Sequence, residues 1–134
     1  MENFEIDSET FACAVAQFLD DKLAKDITIL NISNVSSLAD YFVIASGDST
    51  VQVKALMENT KDKVKTVFKK LPVRTEKDTK NRWNLLDYGD VVVHILHKDE
   101  RQTYALEKFW SHAFSISEDE WHSVASKFSE YESK

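Results

Sequence analysis

The turn Ser46-Gly47-Asp48-Ser49 is the first place in this chain where chemistry could sit. It separates an apolar run from a periodic segment, where a helix N-terminus can hold an anion. The chain has only two glycines, Gly47 and Gly89, so neither a G-x-G-x-x-G nor a Walker loop can be written with it. Asp48 would also repel a phosphate, and the reading is a structural turn. His94 and His97 stand three apart in a strand-like run, and odd spacing sends their side chains to opposite faces. His112 and His122 fall in separate helical segments without a carboxylate set at ligand spacing. Each histidine reads as structural, and no metal site is expected. Asp87 and Asp90 bracket a turn and could share a cation, but a catalytic two-metal site adds a further carboxylate that the sequence does not place. Cys13 is the only cysteine, which excludes an internal disulfide and a cysteine-built zinc site. There is no G-x-S-x-G, and Cys13 has no evident base. The residues themselves point to no catalytic group and no cofactor. The rival reading, a nucleotide-dependent enzyme, would have to use Asp48, Asp87 and Asp90.

What remains is Trp83-Asn84-Leu85-Leu86-Asp87-Tyr88-Gly89-Asp90. Alternation puts Trp83, Leu85 and Asp87 on one face of a strand and Asn84, Leu86 and Tyr88 on the other. Both faces carry large apolar groups. Either both are covered, or one is a docking face of the aromatic, acid-fringed kind that anchors a partner.

The elements that must position these residues follow from periodicity. Asp7-Ser8 starts a helix whose buried face is Phe11, Ala14, Val15, Phe18, Leu19 and Leu23, with Cys13 off that face. A strand at about Ile27–Ile32 is followed by a polar loop over 31–37. Tyr41–Ala45 is a short apolar run that suits a strand covered on both sides. Ser49 caps a helix with the stripe Val53, Leu56, Met57, Thr60, Val64, Val67 and Leu71, ending at Pro72. Residues 73–81 read as a short strand or an excursion. Arg82–Tyr88 and Val91–Leu96 make a hairpin about Gly89. Thr103–Ala113 reads as a helix, and Ser117-Glu118-Asp119-Glu120 is a capping box before another. The order predicts an α/β fold with a mixed sheet.

A chain of 134 residues suits one domain spanning 1–134, with a core at about 8–113 and an additional helix at 117–131. Composition is that of a globular chain, 43% hydrophobic and 30% charged. The longest stretch without a charge, Ile27–Ala39, is too short and too polar for a membrane span. The acidic N-terminus lacks the basic character of secretory and mitochondrial leaders, so a cytoplasmic protein is expected. The net charge is −6, which argues against a module built for bulk or sequence-specific nucleic-acid binding. Charge is uneven, however. Residues 54–80 are net basic, and their lysines are expected on the wet face of a helix, with ribosomal or other RNA contact as the weaker alternative.

Three blocks in order resemble the Iojap, or ribosomal silencing factor RsfS, family. They are Asp40-Tyr41-Phe42-Val43-Ile44-Ala45-Ser46-Gly47-x-Ser49, then Trp83-x-Leu85-Leu86-Asp87-Tyr88-Gly89-Asp90-Val91-Val92-Val93-His94, then Arg101-x-x-Tyr104-x-Leu106-Glu107-x-x-Trp110. The resemblance runs from about Phe11 to Ala113. It implies a nucleotidyltransferase-like α/β fold without transferase activity, no cofactor, and a homodimer. It implies binding to ribosomal protein fourteen of the large ribosomal subunit, which hinders joining of the small subunit and lowers translation when nutrients are scarce. The sequence agrees in one respect. No D-x-D or D-x-E pair follows Gly47, where a transferase would hold Mg²⁺. It departs in two. Val51 stands where the family often has Arg, and Glu76-Lys77 where it often has Glu-Gly. The expected partner-binding set is Trp83, Leu86, Asp87, Tyr88, Asp90, Arg101 and Tyr104, with Leu86 and Tyr88 as apolar anchors and Asp87 or Asp90 pairing with a basic side chain.

Overall fold

The computed structural model describes residues 6–104 and 114–132, without the side chains of 128–132. In chain order its elements are α1 (Ser8–Asp21), β1 (Lys25–Asn31), β2 (Tyr41–Gly47), α2 (Thr50–Phe68), β3 (Arg74–Glu76), β4 (Trp83–Asp87), β5 (Val91–His97), α3 (Lys98–Tyr104), β6 (Phe114–Ile116) and α4 (Glu118–Glu132). The two apolar, β-branched runs sit at the centre. Strands β2 and β5 pair in parallel, from Tyr41 opposite Val91 to Gly47 opposite His97. All seven residues of each are buried, as parallel strands covered on both faces require. The other pairings are antiparallel and complete a six-stranded sheet in the order β3-β4-β5-β2-β1-β6. The expected α/β architecture with a mixed sheet is what forms.

Alternation divides the core in two. Ile29, Val43, Ala45, Leu86, Val93 and Ile95 face α1 and α2. Leu30, Ile32, Phe42, Ile44, Val92 and Leu96 form a second cluster on the opposite face, with Trp83 and Leu85 packed against it. The caps are those the sequence names. Asp7 accepts the amide of Thr10, Ser49 that of Gln52, and Ser117 that of Glu120. Gly47 lets β2 enter α2 closely: a Cβ there would crowd Val53, standing 3.2 Å from its Cγ2 and from its amide nitrogen.

Four expectations change. Helix α2 ends at Phe68, where Lys69 turns into the left-handed conformation at φ 58°. Leu71 is therefore outside the helix and exposed, and Phe68 takes the last core position, its ring edge-on to Phe11 at 5.3 Å. Leu23 likewise falls beyond α1 and is exposed. Cys13, expected off the buried face, is fully buried. Helix α1 is covered on two sides, by the sheet with α2 and by α4. Burial pushes the Cys13 thiol up to about 12, with Glu9, Glu120 and Asp7 adding to the rise, so it is unreactive in the folded state. Strand β6, a short edge strand paired to β1, was not expected at all. The helix expected over Thr103–Ala113 lies largely outside the described residues. Among the described residues no helix is long and apolar enough to cross a membrane.

Trp121 of α4 is 2% exposed and belongs to the α1-side core. Trp121→Ala should lower stability by about 3–5 kcal/mol and should raise the rate at which a thiol reagent modifies Cys13 under native conditions. Unchanged melting with a protected thiol would show that α4 does not seal α1.

Candidate functional site

Strand β4 decides where the expected site residues point. Its burial alternates, with Asn84 and Leu86 buried between partly buried Trp83, Leu85 and Asp87. Leu86 is fully buried in the α1-side core. Tyr88 packs on the same side, edge-on to Phe11 with ring centres 5.3 Å apart. These two positions correct the expectation that Leu86 and Tyr88 are exposed anchors: the helices own that face. The Tyr88 hydroxyl is buried with no hydrogen-bond partner among the described residues, and burial raises its pKa.

Trp83 points the other way. Its indole Nε1 donates to Nδ1 of His94 at 3.2 Å, and its ring meets that of Tyr104 with centres 5.0 Å apart. Tyr104 is the last residue of α3 and is half exposed. Trp83, Leu85 and Tyr104 line an open groove of 590 Å³, rimmed by Glu76, Asp78, Lys80, Arg82 and Glu100. The sequence named Trp83 and Tyr104 but not their adjacency, because they are 21 positions apart.

Side chains fasten α3 in place. The guanidinium of Arg82 donates through Nε to both Glu100 oxygens at 2.9 Å, with Nη2 2.8 Å from Oε1. These hydrogen bonds hold the Glu100 carboxyl below its ordinary pKa. Nδ1 of His97 accepts the Asp99 amide at 3.1 Å. Arg101 is buried, and its Nη2 donates to Thr28 Oγ1 at 3.0 Å. That corrects Arg101 from a surface contact to a link between α3 and β1. Sequence inspection missed Arg82 and Glu100, since neither stands in a recognisable local pattern.

The acidic pair is also partly occupied. Asp87 accepts the Gly89 amide at 2.8 Å, closing the hairpin turn, where Gly89 has φ +92°. Its other oxygen is 3.6 Å from Arg74 Nε. Asp90 is exposed, and its backbone carbonyl accepts the amides of Asp40 and Tyr41. At the Ser46–Ser49 turn, the Asp48 amide is bonded to Gln52 Oε1 and the Gln52 amide to Ser49 Oγ, so two donors at this helix start are used internally. The lysines of α2 and of the turn after it lie mostly on the wet side: Lys54, Lys61, Lys65 and Lys69 are exposed, while Lys63 and Lys70 rest over the rings of Phe18 and Phe11. A larger groove, 1180 Å³, opens between the start of β1, α3 and α4. Its charges are mixed, Lys25, Lys98 and Arg101 against Asp20, Asp26, Asp99 and Glu118, which favours neither an anion nor a cation. No group of three metal-binding side chains occurs among the described residues.

His94 itself is 7% exposed and sits edge-on to Phe42, ring centres 4.7 Å apart. Burial lowers its pKa from 6.5 to about 4, so it is neutral in the fold at physiological pH.

Two stability measurements check this geometry. Tyr88→Phe should melt at or above wild type, because it deletes an unpaired buried hydroxyl, whereas Tyr88→Ala should lose about 3–5 kcal/mol. A marked drop for Tyr88→Phe would reveal a partner for the hydroxyl. For His94, the unfolded chain takes up the proton before the folded one as pH falls. Its contribution to stability is therefore present above about pH 6.5 and is lost as pH falls toward 4. Melting should decline across that window, and His94→Leu should flatten the decline; equal slopes in both proteins would refute a neutral buried ring.

The chain matches the family described as "Ribosomal silencing factor during starvation" over residues 5–134. It is 45% identical over 94 residues to ribosomal silencing factor RsfS of Bacillus subtilis, covering 70% of this chain and 79% of that one. It is 31% identical over 94 residues to the mouse protein named mitochondrial assembly of ribosomal large subunit protein 1, covering 66% of this chain and 40% of the mouse protein. Among solved structures, a Chromobacterium violaceum protein superposes with a TM-score of 0.73 at 33% identity, covering 79% of this chain and 88% of that one.

Proposed function

Because this chain belongs to the family of ribosomal silencing factors, we propose that it represses translation by binding ribosomal protein fourteen of the large subunit and so blocking the joining of the small subunit when nutrients are limiting. Membership carries the coarser half of this reading: the family is ribosome-associated and regulatory rather than catalytic. The name of the mouse relative ties that protein to the ribosomal large subunit, which supports the same choice of subunit here.

The surface we assign to docking is the groove of Trp83, Leu85 and Tyr104, with Asp87 and Asp90 at the hairpin end of the same strand pair. The observation that carries this choice is the partly buried indole of Trp83, held against the half-exposed ring of Tyr104 on the face of the sheet opposite α1 and α2. Tryptophan and tyrosine are the side chains that most often dominate an interface, because a large rigid ring loses little entropy when it is covered. The net charge of −6 favours approach to a basic ribosomal protein and acts mainly on the association rate. Binding by occlusion asks nothing of the Ser46–Ser49 turn.

Co-sedimentation with purified subunits tests the reading. The protein should pellet with the large subunit and not the small one. Trp83→Ala should weaken that binding by roughly thirtyfold, the effect of an anchor worth about 2 kcal/mol. Asp90→Lys should slow association and change its salt dependence while leaving melting unchanged. Equal binding to both subunits, or to neither, would overturn the proposal.

A further inference from the structure

We infer that His94 is a positioning residue for the docking groove: its Nδ1 lone pair fixes the indole of Trp83 in the orientation in which that ring meets Tyr104 and lines the groove. The inference rests on the docking reading above and adds to it a buried group that never touches the partner. An indole N–H can only donate, so at 3.2 Å the His94 Nδ1 must be the acceptor. The ring is then the neutral tautomer with its proton on Nε2. Nothing near it argues for another state. The ring lies against Phe42 and Trp83 on its own sheet face, and it is buried in a central strand paired on both edges.

The cost of the arrangement is visible. Nε2 of His94 is buried and has no hydrogen-bond partner among the described residues. A buried donor left unpaired is destabilising, so a side chain kept only for packing would serve better as leucine. A histidine here leaves one nitrogen unsatisfied and uses the other to orient Trp83. Stability and docking therefore ask for different residues at this position, and that difference can be measured.

The test compares His94→Leu with His94→Asn. Leucine fills a similar volume and removes the acceptor. Asparagine leaves a void, but its Oδ1 stands the same number of bonds from Cα as Nδ1 and can accept the indole proton. Three readouts are taken: melting temperature, the ¹H–¹⁵N resonance of the Trp83 indole (assigned by loss in Trp83→Phe), and co-sedimentation with the large subunit. His94→Leu should melt at or above wild type, lose the hydrogen-bonded indole shift and bind roughly tenfold more weakly, the effect of one hydrogen bond that orients a ring. His94→Asn should melt below wild type, keep the indole shift and bind within about threefold of wild type. A merely structural histidine would make affinity follow stability, and the two orders are opposite here. Wild-type binding by His94→Leu, beside a Trp83→Ala that fails to bind, overturns the role of His94 and leaves the docking surface standing. Wild-type binding by Trp83→Ala overturns both.

Discussion

The parallel pairing of Tyr41–Gly47 with Val91–His97 is the constraint from which the rest of this fold follows. Parallel neighbours cannot be joined by a tight turn; the chain must leave one end of the sheet and return to the other. Helix α2 makes most of that journey, and the β3–β4 excursion completes it before β5 enters beside β2. Because the pair is buried along its whole length, both sheet faces need cover. Alternation then commits every later residue. Val93 and Ile95 must meet helices, and Val92, His94 and Leu96 must meet whatever closes the other side. The orientation of Trp83 is a consequence. It stands opposite Leu96 in the β4–β5 ladder, which gives it the second face.

That logic explains what the sequence disclosed. The apolar run at 41–45 announced a strand covered on both faces, the β-branched run at 91–96 announced another strand, and Gly89 between 82–88 and 91–96 announced the hairpin. Caps at Asp7, Ser49 and Ser117 are local chemistry, readable without tertiary information. The failures are equally physical. Leu71 continues a perfect stripe, yet the helix stops before it because Lys69 adopts the left-handed turn, a choice periodicity does not encode. Cys13 lies off a single helical stripe, and only the docking of a later helix buries it. For β4, alternation sorted Trp83 from Leu86 correctly but could not say which set faced the helices. The choice of Leu86 and Tyr88 as anchors took the wrong side of a correct division. The side was settled by contacts such as Phe11 with Tyr88, whose partners are far apart in sequence.

The face left to Trp83 is held by polar groups rather than by packing alone. Arg82 grips Glu100, and Arg101 reaches Thr28 across the sheet. The first pair is partly exposed, so it contributes little to global stability. Its fork geometry still fixes the direction in which α3 leaves β5, and hence where Tyr104 arrives. Arg101 differs, being buried, and removing Thr28 Oγ1 would strip a hydrogen bond from a desolvated guanidinium. A helix of seven residues is too short to be stable alone; these contacts, not helical propensity, keep it in place.

A recognition surface built this way is preorganised. Trp83 is restrained on one side by His94 and on another by Tyr104, and Tyr104 is carried by a helix fastened through Asp99, Glu100 and Arg101. Side chains that are already ordered lose less freedom when a partner covers them, so more of their contact energy appears as affinity. The acidic groups play a different part. Asp87 is engaged with the Gly89 amide and faces Arg74, which leaves Asp90 as the freer carboxylate at that end of the strand pair. Charge can therefore guide approach while the aromatic pair supplies residence time. The unsatisfied Nε2 of His94 is the cost of that division: a small local loss of stability held inside a central strand paired on both edges, where the fold tolerates it, in exchange for a fixed orientation of the Trp83 ring.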